Sequence, residues 1–244
     1  MASEKRPIEL AASEELVRNV INTVRAQEGL DTSYYKVFAI GFNKTGTTSL
    51  STVFQKLGFT PMDGPHWRKT SEWWIHYQFQ AFSDGPPEDF RHLDRSFPRS
   101  KFILNVRNLD EWIDSRIEHV RVRMKEPKYR AQMSGGKLPG RKSIRNWVKR
   151  RQEHHADVLD YFAERPDDLL VLNYITESNA PERVARFLGK PTAGLSKPYV
   201  RSTAVTREHN TLKNEALIRE TLEEIGIPRE HHGADVLIPG WSAA

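Results

Sequence analysis

The 244-residue chain contains no cysteine. That excludes disulfides, thiolate zinc sites, iron–sulfur clusters and a cysteine nucleophile. No stretch approaches the ~20 apolar residues that span a bilayer as a helix. The opening MASEKRPIELAASEELVRNV is charged throughout and lacks the apolar centre of a signal peptide. The expectation is a cytoplasmic protein with no membrane partner. Charge of one sign is also scarce. Lys+Arg number 37 against 32 Asp+Glu, a net +5, which suits an anionic ligand but is too weak to mark a nucleic-acid binder. Repeats and low-complexity runs are absent. With 38% apolar and 28% charged residues, the composition is not that of a disordered chain.

What is present reads as one α/β domain over residues 1–244, with an N-terminal helical extension (1–30) and a C-terminal extension (202–244). Residues 8–28 pattern as an amphipathic helix, with Leu16, Val20 and Val24 on one stripe. Three short apolar runs, 35–40, 101–107 and 169–174, read as buried strands. Helical segments are expected near 47–57, 66–82, 109–125, 142–165, 181–188 and 211–225, and a further strand just before His66. Nearly continuous apolar strands alternating with helices predict a three-layer architecture of the P-loop type: a parallel sheet with helices on both faces. Ligands of such sheets sit beyond the carboxyl ends of the strands. Residues 126–141, rich in Gly, Pro and basic side chains, read as a mobile basic loop. His154-His155 and His231-His232 are adjacent pairs, not spaced for one helical face. They read as surface histidines, and no metal site is expected.

The first strand runs into Gly41-Phe42-Asn43-Lys44-Thr45-Gly46-Thr47-Thr48-Ser49. A glycine-rich turn opening a helix converges backbone N–H groups and the positive end of the helix dipole on one point, which suits phosphate or sulfate. Gly41 and Gly46 have the separation of the nucleotide-hydrolysing loop G-x-x-x-x-G-K-[ST]. Thr47, however, occupies the lysine slot, and the loop's lysine is Lys44, two residues before the second glycine. After the second strand, Arg107 is followed eight residues later by Ser115, two helical turns on. A guanidinium and a hydroxyl placed so can hold one anion between them.

Together these segments resemble the sulfotransferases that use 3′-phosphoadenosine 5′-phosphosulfate (PAPS). The resemblance covers roughly residues 35–200. It rests on Lys44-Thr45-Gly46-Thr47-Thr48-Ser49 and on Arg107, Trp112 and Ser115. The stretches 81–86, 97–104 and 187–191 are similar to a branch of the family found in bacteria and lower eukaryotes. The chain has Asn43 where the family often has Pro or Arg, and Asn108 where Asp commonly follows the strand-end Arg.

The resemblance implies a transferase that moves a sulfuryl group from PAPS to a hydroxyl or amine of a small-molecule or carbohydrate acceptor, leaving 3′,5′-bisphosphoadenosine (PAP), without a metal. Lys44 would stabilise the leaving oxygen. Asn43, Thr45, Gly46, Thr47, Thr48 and Ser49 would line the 5′-phosphosulfate site. Arg107 and Ser115 would hold the 3′-phosphate, and Arg201 falls where related enzymes close a basic loop over the nucleotide. The base is open between Asp84, at the end of a short second-layer strand, and His66. The cluster Trp67, Trp73, Trp74, Tyr77 and Phe79 reads as core packing, part of which walls an acceptor pocket. Rival readings are a P-loop nucleotide kinase or NTPase, and a nucleotide-binding protein without catalysis. The basic residues between Arg121 and Arg151 read as solvated helix faces rather than a nucleic-acid surface. Oligomeric state stays open.

Overall fold

A computed structural model describes residues 36–132, 138–197 and 214–237, together with helical residues 16, 17, 19–21, 23, 24 and 27. Five strands form one all-parallel sheet: β1 (Val37–Ala39), β2 (Pro61–Asp63), β3 (Ala81–Ser83), β4 (Lys101–Asn105) and β5 (Leu169–Leu172), in the order β2-β3-β1-β4-β5. β1 lies at the centre, with Val37 beside Ala81 of β3 on one side and Lys101 of β4 on the other. Side chains alternate between faces along a strand. Val37, Ala39, Ala81 and Ile103 accordingly enter one core, while Phe38, Phe82, Phe102 and Leu104 enter the other.

Helices cover both faces. The first core packs α1 (Thr47–Lys56) and α7 (Ala180–Phe187) through Leu50, Val53, Phe54, Ala180 and Val184. The second packs α3 (Phe90–Ser96) and the end of α6 (Arg141–Tyr161) through Phe90, Leu93 and Val158. A third apolar cluster joins α4 (Leu109–Arg123), α6 and α8 (Glu215–Glu224) through Ile113, Ile117, Ile144, Val148, Ile218 and Leu222. The parallel α/β sheet covered by helices is as expected. Among the described residues no helix is long and apolar enough to cross a membrane.

Four expectations need correction. Residues 66–82 are not one helix. They break into 3-10 turns at His66–Arg68 and Thr70–Glu72, the short α2 (Ile75–Gln78), and then β3. Lys69 and Phe79 are extended. The Thr70 amide and hydroxyl both donate to the Glu88 carboxylate, at 3.0 and 3.1 Å, so a tertiary partner takes the place of a helical bond. β3 is not a second-layer strand, because it sits inside the single sheet between β2 and β1. The 126–141 segment is not wholly loop. Pro127–Gln132 form α5, with proline at the first helical position, where its missing N–H costs nothing; residues 133–137 lie outside the described set.

Last, His154 and His155 are not surface residues. Ile144, Val148, Arg151, His155 and Val158 are buried at spacings of 4, 3, 4 and 3 along α6, one helical stripe. Arg151 and His155 therefore face inward, and the basic run up to Arg151 is not simply a solvated face. His232 is buried as well, while His231 is exposed. Leu16, Val20 and Val24 are helical as expected, and all three are exposed.

Candidate functional site

In a parallel sheet all carboxyl ends open on the same edge. The residues just after β1, β3 and β4, which are neighbours in the sheet, therefore meet in space although they lie far apart in the chain, Lys44 and Arg107 by 63 positions. Those residues are the 41–49 loop, Asp84 and Arg107.

The loop is fixed from beneath by β4. The Gly41 amide donates to the Asn105 side-chain oxygen at 2.9 Å, and a Cβ on Gly41 would lie 2.0 Å from the Asn105 carbonyl oxygen. Only glycine fits there. The Asn105 amide donates to the Thr45 hydroxyl, which in turn donates to the Phe42 carbonyl at 2.6 Å. α4 holds the next residue at both ends: the Trp112 indole N–H donates to the Asn43 backbone carbonyl at 3.0 Å, and Arg116 donates to the Asn43 side-chain oxygen at 2.7 Å.

These bonds set up two left-handed residues, Lys44 at φ 71° and Gly46 at φ 91°. For a lysine that conformation costs energy, of the kind tolerated where the surroundings over-determine the backbone. Gly46 is the N-cap of α1 and offers it no side-chain bond. No acceptor within the protein takes the amides of Gly46, Thr47, Thr48 or Ser49 among the described residues. Unpaired N–H groups at a helix start form an anion cradle.

Lys44 is partly buried in a cationic neighbourhood. Burial pushes its ammonium below the usual lysine range. Asp84 opposes that shift, and Arg116, Arg107 and Arg123 add to it. Asp84 is itself left-handed, at φ 94°, and precedes Gly85 at φ 115°. Burial pushes its carboxyl above the ordinary range. Arg68 works against the rise, Asp63 adds to it, and Lys44 again lowers it. Lys44 and Asp84 thus influence each other electrostatically at the carboxyl edge of the sheet, each partly desolvated.

The other expected residues are distributed as follows. Arg107 is buried, with its guanidinium donating to the Glu111 carboxylate at 3.2 Å and to the Lys44 carbonyl at 3.1 Å. Ser115 is buried on the second turn of α4. The His66 ring is exposed and pairs with Glu72 at 2.9 Å. Trp67 is fully buried and donates to the Ser83 carbonyl at 2.6 Å, whereas Trp74 is 48% exposed. Arg201 lies outside the described residues.

Sequence reasoning missed the α4 residues Arg116, His119 and Arg123. The Arg116 guanidinium lies between the Trp112 and Trp147 rings, at 5.1 and 4.6 Å from their centroids. Burial holds it down to about 10, with Arg150 nearby adding to the shift and Tyr129 opposing it. His119 is held at about 4 by burial first, and then by Lys44, Arg123 and Arg116 against Glu126. The available signal was the spacing: positions 112, 116, 119 and 123 lie on one helical face.

The arrangement can grip a multiply charged anion at the start of α1 and present a carboxylate of raised pKa beside it. Among the described residues no group of His, Asp and Glu could hold a metal ion. No family model matches this chain, and no curated protein does.

Proposed function

We propose that the protein transfers a sulfuryl group from PAPS to a hydroxyl or amine acceptor. The observation that carries this reading is the loop of unpaired amides that opens α1, with Lys44 in it and Asp84, at the end of the neighbouring β3, within electrostatic reach. A lysine inside the loop lies at the group to be transferred, and a carboxylate of raised pKa stands where an attacking hydroxyl would lose its proton.

The 5′-phosphosulfate occupies the amide cradle of Gly46–Ser49. Arg107 and Ser115 bind the 3′-phosphate, Arg107 by sharing its guanidinium with Glu111. The acceptor oxygen attacks sulfur in line, a new S–O bond forms, and the bond from sulfur to the 5′-phosphate oxygen breaks. Asp84 takes the acceptor's proton, and its raised pKa makes it a better base than an exposed aspartate. The Lys44 ammonium stabilises the charge that appears on the leaving phosphate oxygen. Little covalent work falls to the protein, so positioning and charge carry the rate.

Calorimetric titration with PAP, AMP and ATP–Mg²⁺ tests the reading. PAP should bind at least tenfold more tightly than AMP, because Arg107 and Ser115 read the 3′-phosphate. Binding of ATP–Mg²⁺ in preference to PAP would instead favour a kinase or NTPase.

A further inference from the structure

Residues 227–237 lie beyond the stretch that resembles the sulfotransferases, yet they run as a strap across the turn that carries Arg107. Apolar side chains seat the strap at both ends, Ile227 in the third cluster and Val236 in the second core. Between them its backbone carbonyls close the start of α4. The Leu109 amide donates to the Ala234 carbonyl at 3.1 Å, the Asp110 amide to the His232 carbonyl at 3.0 Å, and the Asn108 side chain to the Gly233 carbonyl at 2.5 Å. The Glu111 amide donates to the Asp110 carboxylate at 2.6 Å. The first three amides of α4 are thereby taken within the protein, so an anion beside Arg107 must be read by side chains.

Arg151 of α6 joins the strap to that turn. It is 1% exposed, with its guanidinium 5.2 Å from the Trp112 ring centroid. Its Nη2 donates to two carbonyls, that of Arg107 at 2.6 Å and that of Asp235 at 2.5 Å. Its Nε and Nη1 are buried with no hydrogen-bond partner among the described residues. The Asp235 carboxylate accepts from the Asn173 side chain, just past the end of β5, at 2.6 Å. Burying a guanidinium on these terms is unfavourable, and apolar packing would serve the core as well. What the charge adds is position. One nitrogen ties the backbone of Arg107 to the strap, and Asp235 ties the strap to the end of β5.

We propose that Arg151 and Asp235 are positioning residues for the 3′-phosphate site: they fix the backbone from which Arg107 reaches that phosphate, and so set the preference for a nucleotide that carries it. The inference rests on the sulfotransferase reading, since it is that reading which gives Arg107 the 3′-phosphate. Neither residue touches the nucleotide. AMP, which lacks the 3′-phosphate, is held by the amide cradle of α1 and is indifferent to the strap.

The test measures PAP and AMP affinities by calorimetry on the full chain carrying Arg151→Met, Asp235→Ala or Asp235→Asn, with a urea midpoint for each. Arg151→Met and Asp235→Ala should each weaken PAP binding at least fivefold while AMP affinity stays within twofold. Asp235→Asn, whose side-chain oxygen still accepts from Asn173, should keep the preference for PAP. A merely structural role would move the urea midpoint, or both nucleotides together, and leave the preference alone. An unchanged preference in Asp235→Ala overturns the inference, as does a parallel loss of PAP and AMP binding, or a loss in Asp235→Asn as large as in Asp235→Ala. Should Arg151→Met fail to fold, the two Asp235 variants decide. Failure of the wild type to prefer PAP over AMP is a separate result. It removes the assignment of Arg107 to the 3′-phosphate, and this inference falls with it.

Discussion

Two side chains divide the proposed work at the sheet edge, and their removal should have different consequences. Lys44 meets charge that develops only as the sulfur–oxygen bond breaks. Lys44→Ala should therefore slow PAP release from PAPS about 10²- to 10³-fold, the usual effect of losing one such donor, with a much smaller change in PAP affinity. Arg107 touches a phosphate that does not change during the reaction. Arg107→Ala should weaken PAP binding about 10- to 100-fold, the worth of a hydrogen bond to a charged group. Equal effects of both substitutions on both quantities would contradict the division. Asp84 adds a pH signature. Its carboxyl is raised by burial, and only the ionised form accepts a proton. The rate should fall as pH drops through a value above the ordinary aspartate range, and Asp84→Asn should flatten that limb. Lys44 and Arg107 could be named from spacing alone. His66 could not be judged so, because its pairing with Glu72 depends on how the 66–72 turns fold.

At the scale of elements, the loop depends on the β1–β4 junction. Gly41→Ala would drive a Cβ to 2.0 Å from the Asn105 carbonyl oxygen. This backbone cannot yield without disturbing β4, so the cost should be about 3 kcal/mol, read as a lower urea midpoint and accompanied by loss of PAP binding. β1, β4 and β5 were legible because their runs are apolar and rich in branched or aromatic residues. The segment from 66 to 83 was not. Trp67, His76 and Phe82 are all buried, but turns, helix and strand bury them in succession, and no single period describes that. α4 was placed correctly, whereas its cationic face was overlooked, because an arginine at helical spacing becomes informative only once Trp147 of another helix is seen to close over it.

At the scale of the molecule, buried histidines should govern the response to mild acid. Burial holds His154, His155 and His119 below the ordinary histidine range. Protons then bind the unfolded chain more readily than the folded one. Stability is complete above about pH 6.5 and declines as pH falls below it. Asp110 and Asp235, raised by burial, act with the opposite sign, but closer to the carboxylate range. Urea midpoints should hold between pH 7.5 and about 6.5 and fall from there to pH 5.5, and a flat profile throughout would contradict the buried, neutral state of these rings. The His154 ring donates to the Ile40 carbonyl at 2.7 Å and meets Phe42 edge-on. Acid should therefore loosen the approach to the 41–49 loop along with the fold.

The sequence by itself determined the class of fold, the glycine-rich turn with its displaced lysine, and the arginine and serine two helical turns apart. Each is written in local spacing, and local spacing sets backbone shape and which side chains share a face. Only the tertiary structure decided that Asp84 comes within electrostatic reach of Lys44, that His155 and Arg151 lie inside, and that Arg116 is clamped beside the loop. Those relations join residues far apart in the chain. They arise because parallel strands open on one edge and because α4 and α6 bury their stripes against each other, and neither contact has a signature within any short window of sequence.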